Sequence, residues 1–166
     1  MRCLFLWFTL LLMPAGAVHG VTIIIPSFPP PAVLIAVGSF GPTVDQVTFN
    51  VPVGSIGNGV PVVGTPSIQV LAAARAAPAN SRVVGLVADS RVPLSNGTNT
   101  IPFSAIDWTA SDSDIPSGTF NGNIQLLALF FNSRIVRSTH TFRYSNTQVL
   151  DAGTYTGRVT YTLIMP

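Results

Sequence analysis

The stretch DAGTYTGRVTYTLIMP at residues 151–166 alternates apolar and polar side chains at nearly every step. One parity carries Tyr155, Gly157, Val159, Tyr161, Leu163 and Met165, and the other carries Thr154, Thr156, Arg158, Thr160, Thr162 and Ile164. A repeat of two residues places these sets on opposite faces of a β-strand, whereas a helix would mix them. A strand with one apolar face packs on a core and pairs with neighbours, so this stretch predicts a domain of antiparallel sheets.

The composition of the whole chain also favours strands over helices. None of the 166 residues is lysine or glutamate, which commonly cover exposed helices, and only 8% are charged. Glycine and proline each occur 14 times and divide the chain into short segments rich in valine and threonine. This pattern gives about eight to ten strands, with turn residues roughly every 8–15 positions, and predicts an antiparallel β-sandwich.

Seven predicted strand segments precede the terminal one. They are Ala32–Val37, Val44–Val53, Ser67–Ala74, Arg82–Asp89, Thr100–Trp108 (one or two short strands), Thr119–Phe131 and Arg134–Tyr144. The alanine-rich end of the third segment could form a helical turn, but Ile68 and Val70 continue the alternation and favour a strand. We see no repeat of fixed period, so residues 32–166 are predicted to form one β-sandwich domain.

Residues 1–20 have the pattern of a cleaved secretory signal. A positive start at Arg2 is followed by the apolar run Leu4–Met13 and then by Ala15 and Ala17, spaced as signal peptidase requires. We expect cleavage after Ala17, with Gly20 as the rival position. A membrane anchor is the alternative, but the run is too short to span a bilayer. The chain is therefore predicted to be secreted.

The secreted part is predicted to begin with an extension at residues 21–31. Cys3, the only cysteine, leaves with the signal, so the mature chain has no disulfide. Val21–Ile25 is a strongly β-prone segment, and it is separated from the domain by Pro26 and by the run Pro29–Pro31. A proline run is stiff and extended and cannot lie inside a sheet, so it acts as a spacer.

The sequence contains no evident catalytic centre. His140 shares its parity with Phe142 and Tyr144, which indicates a packed residue rather than a general base, and the other histidine is His19. No G-x-S-x-G motif occurs, and a usual zinc site needs more histidine or cysteine ligands than remain. A secreted hydrolase would require His140 in a cleft beside a serine and an aspartate. We expect no enzyme activity and no cofactor.

Few charged groups are grouped together. Asp107, Asp112 and Asp114 form a weak calcium candidate, but their spacing does not match a calcium loop and a solvated loop is favoured. The arginines of the last two strands, Arg134, Arg137, Arg143 and Arg158, are interpreted as surface charges that discourage stray edge pairing, with a binding patch as the alternative. Trp108 is expected in the core. No basic patch of the size used by nucleic-acid-binding proteins is visible.

The two ends of the secreted chain are complementary. The terminal strand offers open backbone groups and an apolar face, and the N-terminal segment is a detached strand with Val21, Ile23 and Ile25 on one face. Donation of the N-terminal segment of one chain to the sheet of the next would join them. Head-to-tail contacts of this kind produce open filaments.

The motif AGTYTGRVTYTLIMP resembles the C-terminal strand of pilin subunits assembled by the chaperone–usher route, including the spore-coat-U-like domains. In that family a glycine stands fourteenth from the C-terminus, the position of Gly153 when Pro166 is counted first. The alternating apolar residues of the family's last strand pair with a periplasmic chaperone. By this resemblance they correspond to Tyr155, Val159, Tyr161, Leu163 and Met165.

The resemblance implies an immunoglobulin-like β-sandwich that lacks its last strand. The gap is filled first by the chaperone and then by a neighbour's extension, in which Val21, Ile23 and Ile25 would be the donor residues. The chain would then be exported to the periplasm, handed to an outer-membrane usher and built with like subunits into a fimbria on the cell surface. The alternative is a monomeric secreted β-sandwich that binds carbohydrate or a surface partner. An outer-membrane or coat-associated structural protein without strand exchange is a further alternative.

Overall fold

The computed structural model describes residues 32–38, 46–75 and 83–165. The predicted signal (1–20) and the extension with Val21, Ile23 and Ile25 lie outside this described part. The described residues contain two single-turn 3-10 helices, no α-helix and eleven strands. The strands are β1 Ala32–Gly38, β2 Val62–Val63, β3 Ile68–Arg75, β4 Val83–Asp89, β5 Leu94–Ser95, β6 Thr100–Ile101, β7 Ile106–Ala110, β8 Gly118–Thr119, β9 Ile124–Phe131, β10 Arg134–Tyr144 and β11 Thr160–Ile164.

The strands form an antiparallel β-sandwich, which confirms the predicted all-β class. The first sheet has the order β1-β3-β10-β7-β8, and β2 pairs with the end of β10. The second sheet has the order β11-β4-β9, and β5 and β6 form a separate hairpin. All of these pairs are antiparallel.

The core lies between the two sheets and follows from the alternation along each strand. In β3 every second residue is buried, from Ile68 to Ala74. β10 buries the same parity from Val136 to Tyr144. The second sheet contributes large side chains that are almost fully buried: Val84, Leu86 and Phe130. Burial of such side chains supplies the main driving force for the fold.

Three predicted segments differ from the observed strands. In the described part of Val44–Val53, Thr48 makes an isolated bridge to Thr65, and Pro52 removes a backbone donor where a longer ladder would continue. Thr119–Phe131 is interrupted by a turn at Gly122, which has a φ of 71°. The single long strand predicted through residues 154–165 is shortened to β11, and Thr156 instead bridges to Ser95 of the β5–β6 hairpin.

The loop at residues 55–60 is held by a buried side chain far away in sequence. Asn146, with a φ of 51°, is 1% exposed. Its amide nitrogen donates to the Ser55 carbonyl at 2.7 Å and to Asn58 Oδ1 at 3.0 Å. Its Oδ1 accepts from the Gly57 amide at 3.0 Å. One side chain therefore satisfies donors and acceptors that the loop would otherwise leave unpaired.

Candidate functional site

The candidate site is the edge of β11. This strand pairs with β4 on one side, from Thr160 opposite Asp89 to Ile164 opposite Gly85. No strand in the described residues pairs with its other side. β1, the edge strand of the first sheet, lies next to β11 without a hydrogen-bond ladder between them. We call the space between these two strands the seam.

The inner side chains of β11 and β1 line this seam. On and around β11, Val159, Tyr161, Leu163 and Met165 are half-buried and pack against the core. Ile35 and Val37 of β1 are half-buried in the same way. The opposite parity of the last strand is exposed, so the amphipathic alternation read from the sequence is present in the folded chain. Together these side chains make an apolar strip beside an unpaired backbone edge.

Tyr161 is the largest side chain of this strip. Burial raises the pKa of its phenol well above the ordinary value. The side chain therefore stays neutral throughout the pH range in which the protein would work, because desolvation penalises the phenolate. A neutral aromatic side chain at this point offers contact area to an incoming strand without the cost of burying a charge.

Gly153 and Tyr155 belong to a different part of the fold from the rest of the predicted set. The Tyr155 hydroxyl donates to the Asp151 carbonyl at 3.1 Å, and Asn99 donates to the Asp151 carboxylate at 2.8 Å. A Cβ on Gly153 would lie 3.2 Å from the Asn96 amide nitrogen. This segment is thus anchored on the β5–β6 hairpin, and only the later residues reach the seam.

His140 is enclosed in the core. It is 0% exposed, and its ring stacks on Trp108 with centroids 5.8 Å apart and meets Phe142 edge-on at 6.1 Å. Burial lowers its pKa to about 4, and the Ile115 backbone offsets part of that effect. Neither ring nitrogen has a well-formed hydrogen bond within the described part. Among the described residues, His140 therefore has no hydrogen bond to a serine or an aspartate of the kind that the hydrolase alternative requires.

The aspartates of the calcium candidate are bound to separate partners. Asp107 accepts from Arg143 at 2.7 Å, Asp114 accepts from Arg134 at 2.5 Å, and Asp112 Oδ1 accepts from the Asp114 amide. Across residues 32–38, 46–75 and 83–165, no group of three or more His, Cys, Asp or Glu side chains is placed to hold a metal ion. Two of the three carboxylates thus have a cationic partner already.

The remaining predicted residues take surface or core positions. Arg137 and Arg143 point outward from β10, opposite the buried parity of Phe142. Trp108 is 3% exposed and its indole nitrogen donates to the Pro116 carbonyl at 2.9 Å. It therefore offers no exposed aromatic platform of the kind that the carbohydrate-binding alternative would use. No helix in the described residues is long and apolar enough to cross a membrane.

Sequence reasoning missed the contribution of β1 to the site. Ile35 and Val37 share one parity of a strand that was correctly placed, so their common inward face was readable. Their position opposite β11 depends on the order of strands in two different sheets, and no pattern in the neighbouring sequence predicts it. No family model, curated protein or solved structure matches the chain.

Proposed function

We propose that the chain is a structural subunit of a surface fibre, assembled when a strand from another chain pairs with β11. The observation that carries the proposal is the position of β11, whose second edge has no partner strand among the described residues. An unpaired edge beside an apolar strip is a template for another strand. Donation of an extended segment to such an edge is an established mode of recognition between proteins.

The strand order supports an immunoglobulin-like sandwich that lacks its last strand. In that fold the strands A, B, E and D form one sheet, and C, F and G form the other. In chain order, positions A to F would be taken by β1, β3, β4, β7, β10 and β11, and β9, which pairs with the other edge of β4, is an added strand outside the seven. The G position would lie beside β11, and in the described part of the chain it is free. A donated strand takes the place of G.

The N-terminal segment supplies the donated strand. Val21, Ile23 and Ile25 share one face of a segment that is separated from the domain by proline. Their apolar side chains are complementary to the strip formed by Tyr161 and Leu163. By the resemblance to chaperone–usher pilins, a periplasmic chaperone occupies this edge before an outer-membrane usher replaces it with the next subunit.

The width of the seam sets how the donated strand fits. Some Cα atoms of β1 and β11 lie within 8 Å of each other. A strand hydrogen-bonded to both would need about 9.6 Å, twice the usual spacing of about 4.8 Å. The donated strand therefore pairs with β11, and β1 moves outward where the two strands are closest.

The test is an unboiled denaturing gel of periplasmic extract from cells that make the full chain, with and without a periplasmic chaperone of the chaperone–usher class. We expect a ladder or a chaperone-dependent band that disappears on boiling, because a fully paired strand dissociates slowly. Tyr161→Asp places a charge on the apolar strip and should abolish the ladder and the accumulation of subunit. A single monomer band that is indifferent to the chaperone would overturn the proposal.

Thr162→Asp is the matched control for this variant. Thr162 is the next residue of β11, and it is exposed on the opposite face. It receives the same charge in the same strand without touching the strip, so the ladder should persist. Equal loss in both variants would mean that β11 tolerates no charge at all, which contradicts a specific role for the strip. Wild-type levels of folded Tyr161→Asp protein would also count against it.

A further inference from the structure

The outer face of the second sheet is apolar and exposed. Six large side chains on this face have exposed fractions between 39% and 58%: Val83, Ile124, Leu126, Leu129, Phe131 and Ile164. We call this surface the outer β9 face, because four of the six belong to β9. β9 is apolar on both sides, since Leu127, Ala128 and Phe130 point into the core. Strands of this kind are normally covered on both faces.

The strand register makes this face continuous. Ile164, Gly85 and Leu129 lie in one row across the three strands. Gly85 has no side chain, and a Cβ there would lie 3.4 Å from a Leu126 methyl and 3.7 Å from a Leu129 methyl. The two leucines therefore extend over the central strand. The result is a shallow apolar layer rather than a set of isolated side chains.

The outer β9 face has almost no charge. Among the residues of β4, β9 and β11, the single charged one is Asp89, and its carboxylate is bound by Arg91 at 2.7 Å. The outer face of the other sheet differs, because Arg137 and Arg143 project from β10. Two copies of the outer β9 face can therefore approach without repulsion between like charges. Only 8% of the residues in the whole chain are charged, so electrostatic repulsion between two copies is weak.

We propose that the outer β9 face binds the same face of a second copy of this chain. Two such faces would stack about 10 Å apart, with their side chains interdigitating as in a sandwich core. The six side chains expose apolar surface on the order of 500 Å², as much as the largest patch on a typical monomer. With the flanking threonines, the contact approaches the roughly 600 Å² per partner of small specific complexes. A two-fold contact of this kind closes on itself.

This contact is independent of the proposed strand donation. Donation uses the backbone edge and the inner side chains of β11, whereas stacking uses the outer side chains of β4, β9 and β11. A fibre subunit could use both, and the stacking would then join neighbouring fibres side by side. Failure of either proposal leaves the other standing, and the two differ in their response to boiling and to substitution.

Cysteine cross-linking tests the contact in the full chain. Cys3 is the only cysteine, so a Cys3→Ser background gives single-cysteine variants. Leu126→Cys and Leu129→Cys place a thiol on the outer β9 face. Leu34→Cys is the control, because Leu34 is 60% exposed on the outward side of β1 in the other sheet. The purified proteins are oxidised with copper phenanthroline at about 100 µM, where a modest contact is populated. They are then boiled, which dissociates strand-exchanged ladders, and run on a non-reducing gel, which preserves the disulfide-linked dimers.

We expect roughly fivefold more disulfide-linked dimer for the two face variants than for the control. A residue near the axis of a two-fold contact meets its own copy, and Leu126 and Leu129 extend over Gly85 at the centre of the face. Addition of Phe131→Asp to Leu129→Cys should reduce the dimer to the control level. Equal cross-linking at all three positions would overturn the proposal. So would the absence of dimer at both face positions, which would mean that something other than a second copy covers this face.

Discussion

The buried imidazole of His140 should make the protein less stable in mild acid. Its pKa is lowered to about 4 in the folded chain, against 6.5 when unfolded. Between these values the unfolded chain binds a proton that the folded chain excludes, so stability falls as the pH falls. The loss begins near pH 6.5 and is complete near pH 4. From pH 7 to pH 4.5 it amounts to about 2 kcal/mol, at about 1.4 kcal/mol per pKa unit.

The composition of the chain helps to isolate the contribution of His140. The chain has no glutamate, and its only other histidine is His19. His140→Phe removes the ionisable ring while keeping an aromatic side chain between Trp108 and Phe142. Its absolute stability can differ by about 1–3 kcal/mol through repacking, so the informative quantity is the pH dependence.

The assay is urea unfolding at pH 7.0, 6.0, 5.0 and 4.5, followed by tryptophan fluorescence, since Trp108 lies beside the ring. The wild type should lose about 2 kcal/mol across this range, and His140→Phe should lose less than about 0.5 kcal/mol. A flat wild-type profile would show that His140 is not penalised for being charged. An equally steep profile in the variant would assign the effect to another group. Either result would refute the reasoning.

Other substitutions test packing, the buried loop anchor and the surface ion pairs by the same unfolding measurement. Gly118→Ala would place a Cβ 2.8 Å from the Trp108 indole ring and should cost about 1–3 kcal/mol. Gly54→Ala, with no atom within 4 Å, should change stability by less than about 0.5 kcal/mol. Asn146→Gly permits the same backbone conformation but removes the hydrogen bonds to the loop at 55–60, and should cost about 2–3 kcal/mol. Asn132→Gly, at an exposed residue with a φ of 62°, should be nearly neutral, and equal losses in the two asparagine variants would contradict the anchoring role. Arg134→Ala removes a partly exposed surface ion pair and should cost less than about 1 kcal/mol.

The strands that formed as predicted have their signal within a few residues. β3, β4 and β10 follow from alternating side chains bounded by turn residues, and both properties belong to the local chain. The same alternation correctly separated the inner and outer side chains of the last strand. It overestimated the length of that strand, because residues 154–158 pack on the β5–β6 hairpin, where Gly157 lies against Leu94. A packing partner that is distant in sequence does not change the alternation of neighbouring side chains, so the alternation does not reveal it.

By itself, therefore, the sequence determined the all-β class, most strand positions and the faces that point inward. Side-chain period and turn chemistry are properties of neighbouring residues, and they act before any sheet is assembled. The tertiary structure alone decided that β11 is an edge strand with one side unpaired among the described residues, and that β1 lies across the seam from it. It also decided that the apolar run of β9 leaves Leu126, Leu129 and Phe131 exposed. These features depend on the order of strands across two sheets, which is set by packing between residues far apart in the chain.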